Sequence, residues 1–106
     1  MSLDIYLYKD GQEVHWGNIT HNLNTMANEA GIYPALWRPE EIGAVKASDL
    51  VDILMTGLHA LVDRPSYFKG FNATNGWGRY EHLVEFVSNY LEACVAHPDA
   101  TIKVSR

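Results

Sequence analysis

A single cysteine, Cys94, stands in a chain of 106 residues. An internal disulfide is therefore excluded, and the composition suits a reducing cytosol. Cys94 falls on the apolar side of a helix, where a buried and inert thiol is expected. Basic side chains are also scarce: eight Lys and Arg against thirteen Asp and Glu give a formal charge of −5. Spread along the whole chain, those eight form no stripe, which argues against DNA or RNA as a partner. No apolar run approaches the length of a membrane span, and no basic-then-apolar leader stands at the start. The expectation is a soluble cytoplasmic protein with no membrane partner, in which the sequons at Asn18 and Asn72 carry no meaning for glycosylation.

What remains is an ordinary globular balance, 47% hydrophobic and 20% charged. The length gives room for one domain, residues 1–106, around one core. Leu3, Ile5 and Leu7 alternate with Asp4, Tyr6 and Tyr8 as in a half-buried strand. Asp10-Gly11 is a two-residue hairpin turn. The return strand, residues 12–16, puts Val14 and Trp16 on one face with Glu13 and His15 on the other. A first helix follows, with Leu23, Met26, Ala27 and Ala30 at helical spacing; Gly31 fits its left-handed C′ position and Ile32 the contact after it. Residues 33–46 read as a loop with one helical turn at Pro39-Glu40-Glu41-Ile42.

Ser48 is placed to cap a second helix, lined by Leu50, Val51, Leu54, Leu58, Leu61 and Val62 and ended at Arg64-Pro65. Residues 66–78 read as a second loop. The third helix carries Tyr80, Leu83, Val84, Val87, Leu91, Cys94 and Val95 in one stripe, widened by Phe86 and Tyr90, and stops at His97-Pro98-Asp99. Ala100, Ile102 and Val104 alternate as a last strand. The expected fold is α+β: a small antiparallel sheet, made of the N-terminal hairpin and the C-terminal strand, with three helices packed on one face. The two long connections exceed usual lengths, which favours function in them.

Two motifs concentrate the chemistry. Asn18-Ile19-Thr20-His21-Asn22 opens the first helix, and Asn75-Gly76-Trp77-Gly78-Arg79-Tyr80 opens the third. Helix starts expose backbone N–H groups and the positive end of the dipole, a setting for an anion. Asn18 or Thr20 can serve as the cap, and the remaining polar groups can face a ligand. Trp77, Trp37 or Tyr80 can stack a flat ring, and Arg38 or Arg79 can meet phosphate. Thr20, Asn22 and Asn75, with Asn18 and His21 beside them, supply directional hydrogen bonds. Trp37-Arg38 has its own plain alternative in a solvent-facing cation, and Trp77 in a lid over the core.

No histidine pair stands at a recognised zinc spacing; His82 and Glu85 share a helix face, two ligands at most, and His59 reads as partly buried and hydrogen-bonded. No metal or other cofactor is expected. No nucleophile elbow is present and no catalytic residue is assigned. A hydrolase reading stays open in which His21 or His15 is the general base and Asp4 orients it. So does an adaptor or structural reading in which Trp37, Tyr33 and Phe68 form a protein-facing patch.

The Asn18-Ile19-Thr20-His21-Asn22-Leu23 run, Ala30-Gly31-Ile32-Tyr33, Leu36-Trp37-Arg38-Pro39, Asn75-Gly76-Trp77-Gly78 and Tyr80-Glu81 together resemble a small protein family of phages and prophages. The resemblance covers nearly the whole chain. It implies a phage setting, with host cytoplasm as the compartment. Some small phage proteins of this kind are sponges that trap nucleotide immune signals, and that role implies ligand-facing positions at Thr20, Asn22, Asn75 and Trp77. The resulting expectation is a protein that sequesters a small anionic, nucleotide-like signal without altering it. A chain of 11.9 kDa would hold such a ligand as a homo-oligomer with sites near subunit boundaries.

Overall fold

Leu3, Ile5 and Leu7 of strand β1 (Ser2–Lys9) are fully buried, as their alternation predicts. The computed structural model describes residues 2–106. At the hairpin turn Asp10 and Gly11 both take positive φ, 53° and 78°, the left-handed pair that matches strand twist. Strand β2 (Gln12–Thr20) then returns antiparallel to β1 and runs four residues past the expected end. Strand β3 (Thr101–Ser105) pairs antiparallel with the other side of β1, so the order is β2-β1-β3. This is the expected α+β arrangement.

One detail of β2 overturns the expected facing. Leu7 pairs with His15 but Tyr8 pairs with Glu13, which leaves Val14 as the extra residue of a bulge. Beyond it the alternation is reversed. His15, Gly17 and Ile19 now lie opposite the inward Leu7, Ile5 and Leu3, and Trp16 turns outward, 54% exposed.

The helical layer is more divided than the sequence suggests. A 3₁₀ turn (His21–Leu23) leads into helix α1 (Asn24–Glu29), and Leu23, Met26, Ala27 and Ala30 are buried as expected. Gly31 is left-handed at φ +81° and Ile32 is buried behind it. Both supposed loops contain short helices: α2 (Tyr33–Trp37) and α4 (Pro65–Lys69), each with proline in its first turn. Pro39–Ile42 forms the expected turn, of 3₁₀ type.

Ser48 is not a cap. A 3₁₀ turn (Ala47–Leu50) precedes α3 (Val51–Asp63), and the Asp49 carboxylate accepts from the N–H groups of Val45 (2.9 Å) and Lys46 (3.0 Å). Those bonds, the Lys46 one first, hold Asp49 below the usual carboxylate range. On α3, Leu54, Gly57 and Leu61 are buried, whereas Val62 and His59 are exposed.

Helix α5 (Tyr80–Ala96) packs against α3 and β2. Gly17 makes the second contact close, since a Cβ there would lie 2.9 Å from Phe86 Cε2. Val95 is exposed, but Leu83, Phe86, Val87, Tyr90 and Cys94 are buried, and burial pushes the Cys94 thiol up to about 12. The Tyr90 ring stacks on His15 at 5.7 Å, while its buried hydroxyl has no partner among the described residues. An unpaired buried hydroxyl costs about 1–3 kcal/mol. Tyr90→Phe keeps the ring and removes that cost, so it is expected to raise stability by about 1 kcal/mol. Urea unfolding of the two proteins checks this; a less stable variant would show that the hydroxyl is paired in solution.

Candidate functional site

The end of β2 and the loop ahead of α5 meet across the molecule. Thr20 caps the turn that follows β2, its Oγ1 accepting from the Asn22 N–H at 3.2 Å. Asn22 is thereby held with its side chain outward, and its Nδ2 donates to the carbonyl of Trp77 at 2.8 Å. On the other side, Asn75 Oδ1 accepts from Trp77 N–H (2.9 Å), the local turn that Asn favours. Ala73 N–H donates to the Gly78 carbonyl (3.0 Å) and closes the loop on itself. Gly78 is buried at φ +120°, and a Cβ there would sit 3.1 Å from Asn22 Cβ and 3.3 Å from Thr20 Cγ2. Glycine is what allows the two segments to touch.

Between them lies a hollow of about 480 Å³ lined by Ser2, Asn18, Ile19, Thr20, Asn22, Leu23, Asn75, Gly76, Trp77, Gly78 and His82. Trp77 is 73% exposed beside it. Asn18 enters from the open face of the sheet, its Nδ2 donating to Asp4 Oδ1 (2.8 Å) and Ser2 Oγ (3.1 Å). That fixes the amide so that its own carbonyl oxygen stays available. The lining holds three asparagines, two hydroxyls, one imidazole and one indole, with no Lys, Arg, Asp or Glu.

Of the ten candidate residues, Asn18, Thr20, Asn22, Asn75 and Trp77 come together here; the other five do not. Trp37 is 3% exposed, stacked on Tyr33 at 5.3 Å, with its Nε1–H donating to His21 Nδ1 at 2.8 Å. Both Trp37 and His21 are thus committed to the protein interior rather than to a ligand. Tyr80 is also core: its hydroxyl donates to the Leu61 carbonyl (2.6 Å), and burial raises its pKa. Arg38 turns to Glu41 (3.7 Å) and Arg79 to Glu81 (3.5 Å), and neither lines the hollow.

The start of α5 does not offer bare N–H groups either. At α5, Arg79 N–H donates to His82 Nδ1 (3.3 Å) and Tyr80 N–H to Asn72 Oδ1 (2.7 Å). His82 N–H meets the Arg79 carbonyl at 3.0 Å, and the Glu81 carboxylate is held low chiefly by a backbone bond within its own residue. The donors at this helix start are already paired.

No family model, curated protein or solved structure matches this chain. His82 and Ser2 are the polar lining residues outside the ten ligand candidates. His82 had a usable signal, since it stands three residues after Arg79 where a side chain can reach back to the helix start. Ser2 had none.

The hydrolase arrangement is not assembled. Asp4 bonds to Asn18, His21 to Trp37, and His15 stacks on Tyr90 with its pKa lowered by burial. The adaptor patch is not a surface either, because Trp37 and Phe68 are buried and Tyr33 packs on Trp37. Among the described residues no three His, Cys, Asp or Glu side chains gather as a metal site, and no helix is long and apolar enough to cross a membrane.

Proposed function

We propose that the hollow binds a small nucleotide-like molecule and holds it without chemical change. The observation that carries this reading is the convergence of three asparagines and an exposed tryptophan, Trp77, around a space of about 480 Å³. Ligand pockets commonly have volumes of about 300–1,000 Å³. An indole face stacks on a purine or pyrimidine ring, and side-chain amides match the donor and acceptor pattern of a base edge. With Arg38 and Arg79 turned elsewhere, recognition rests on the ring and sugar, and the phosphate of the ligand faces the mouth of the hollow. In the phage setting that the sequence motifs suggest, the role is a sponge for a nucleotide immune signal in the host cytoplasm. A second copy closing the mouth beside Trp77 completes this reading.

A sponge competes with a host receptor and needs a Kd near the nanomolar range, about −12 kcal/mol. The test is to incubate the protein with a panel of cyclic and linear nucleotide signals, remove free ligand, heat-denature, and identify what is released by mass spectrometry. Intact ligand is expected. A hydrolysed product would mean turnover, and an empty supernatant would sink the reading. Trp77→Ala is expected to weaken the retained ligand by about 1–3 kcal/mol, measured by calorimetry. Unchanged affinity would remove the indole from the site.

A further inference from the structure

The sheet has two edges, and the described residues cover only one. Along β3, Ile102 N–H donates to the Val45 carbonyl (3.0 Å), Ala47 N–H donates to the Ala100 carbonyl (2.8 Å), and Lys46 bridges to Thr101. Strand β2, at the opposite edge, receives no backbone hydrogen bond from any described residue outside the sheet. An edge strand leaves a row of N–H and C=O groups free to pair. Residues 12–20 contain neither proline nor lysine, and the bulge at Val14 leaves the stretch beyond it regular. The usual blocks to pairing are absent there.

A groove follows this edge, with α5 as its far wall. Its central part, about 470 Å³, is lined by residues 16–19 together with Glu85, Phe86 and Asn89 among others. Successive strand residues face opposite sides, so a hollow touching all of residues 16–19 tracks the edge of the strand and not one face. Past Asn89 the groove continues to His15 and Glu92. Glu85 and Glu92 are exposed and paired with no Lys or Arg among the described residues, and no Lys or Arg lines either part.

We infer that this groove docks an extended basic segment of another protein, which adds to the sheet as a fourth strand beside β2. Backbone pairing supplies the register. Side chains of the guest that point toward α5 meet Glu85 and Glu92 and are Lys or Arg; the alternate ones lie beside Trp16 and are apolar. Charge decides the occupant. A second copy of this chain would set the same glutamates against each other on two molecules of formal charge −5.

The probe is a fluorescein-labelled peptide of about eight residues alternating Lys and Val, long enough to span the edge at about 3.3 Å per residue. Anisotropy titration of the intact protein is expected to give micromolar binding. The double variant Glu85→Lys, Glu92→Lys, changed only at exposed positions, is expected to bind it roughly tenfold more weakly and to prefer the matching Glu-Val peptide. N-methylation of the amides along one edge of the Lys-Val peptide should abolish binding, and along the other edge should spare it. Equal binding of Lys-Val and Glu-Val peptides by the parent protein would overturn the inference. So would indifference to N-methylation, or a dimer in sedimentation that Trp16→Lys dissociates, which would assign the edge to a second copy. The groove shares Asn18, Ile19 and His82 with the hollow, but the glutamate variant and the N-methylated peptides leave Asn22, Asn75 and Trp77 unchanged. Peptide binding lost with nucleotide retention intact, or the reverse, therefore tells the two readings apart.

Discussion

Trp37→Ala is expected to lower the free energy of unfolding by about 3–5 kcal/mol, the range for removing a buried large aromatic. The indole is 3% exposed, stacks on Tyr33, and donates to His21 Nδ1. Its carbonyl also accepts from Arg106 Nη1 at 2.9 Å. Truncation leaves a cavity and strips a partly buried imidazole of its donor. Chemical denaturation monitored by circular dichroism measures the loss, and a value under about 1 kcal/mol would mean that the ring is not a core element. Trp77→Ala supplies the contrast. Trp77 is 73% exposed, so its removal should leave stability within about 0.5 kcal/mol while weakening ligand retention. Two tryptophans that look equally suited to stacking thus separate into one that holds the fold and one that faces the hollow.

Gly78→Ala is expected to damage fold and hollow together. At φ +120° an added Cβ is strained, and it would also crowd Asn22 Cβ at 3.1 Å and Thr20 Cγ2 at 3.3 Å. Together these should cost about 1–3 kcal/mol. Relief comes by moving the 72–78 loop away from the end of β2, which breaks the Asn22–Trp77 hydrogen bond. Ligand affinity should then fall by roughly tenfold even in the folded fraction. Gly31→Ala is the reference, because Gly31 has φ +81° but nothing within 4 Å of an added Cβ. It carries the backbone strain alone, about 1 kcal/mol. Equal stability and full ligand affinity in both variants would show that contact between the two segments does not shape the hollow.

The division between these residues reflects what a sequence can encode locally. The alternation of Leu3, Ile5 and Leu7, the Asp10-Gly11 turn and the long stripe of α5 are readable because each depends on neighbours a few positions away. The short helices α2 and α4 escape because five residues hold too little periodicity to register. The facing of Trp16 escapes for another reason. A bulge shifts the alternation by one position, and nothing in Glu13-Val14-His15 announces it.

Within the candidate site the same limit applies. Asn22 stands out as a polar group in excess of what capping needs, whereas Asn75 reads equally as an ordinary turn residue, and both line the hollow. Trp37, Tyr80 and Trp77 carry one and the same signal, since the surface that stacks on a ligand is also the surface that fills a core. Local sequence determined the strands, the turn, the main helices and the two polar clusters, because hydrogen-bond caps and side-chain periodicity act over one or two turns of backbone. Only the tertiary structure decided which aromatic ring is buried, which arginine turns to a neighbouring glutamate, and which sheet edge lies open. Those outcomes depend on partners brought close by folding, as Asn22 and Trp77 are across 55 positions of chain.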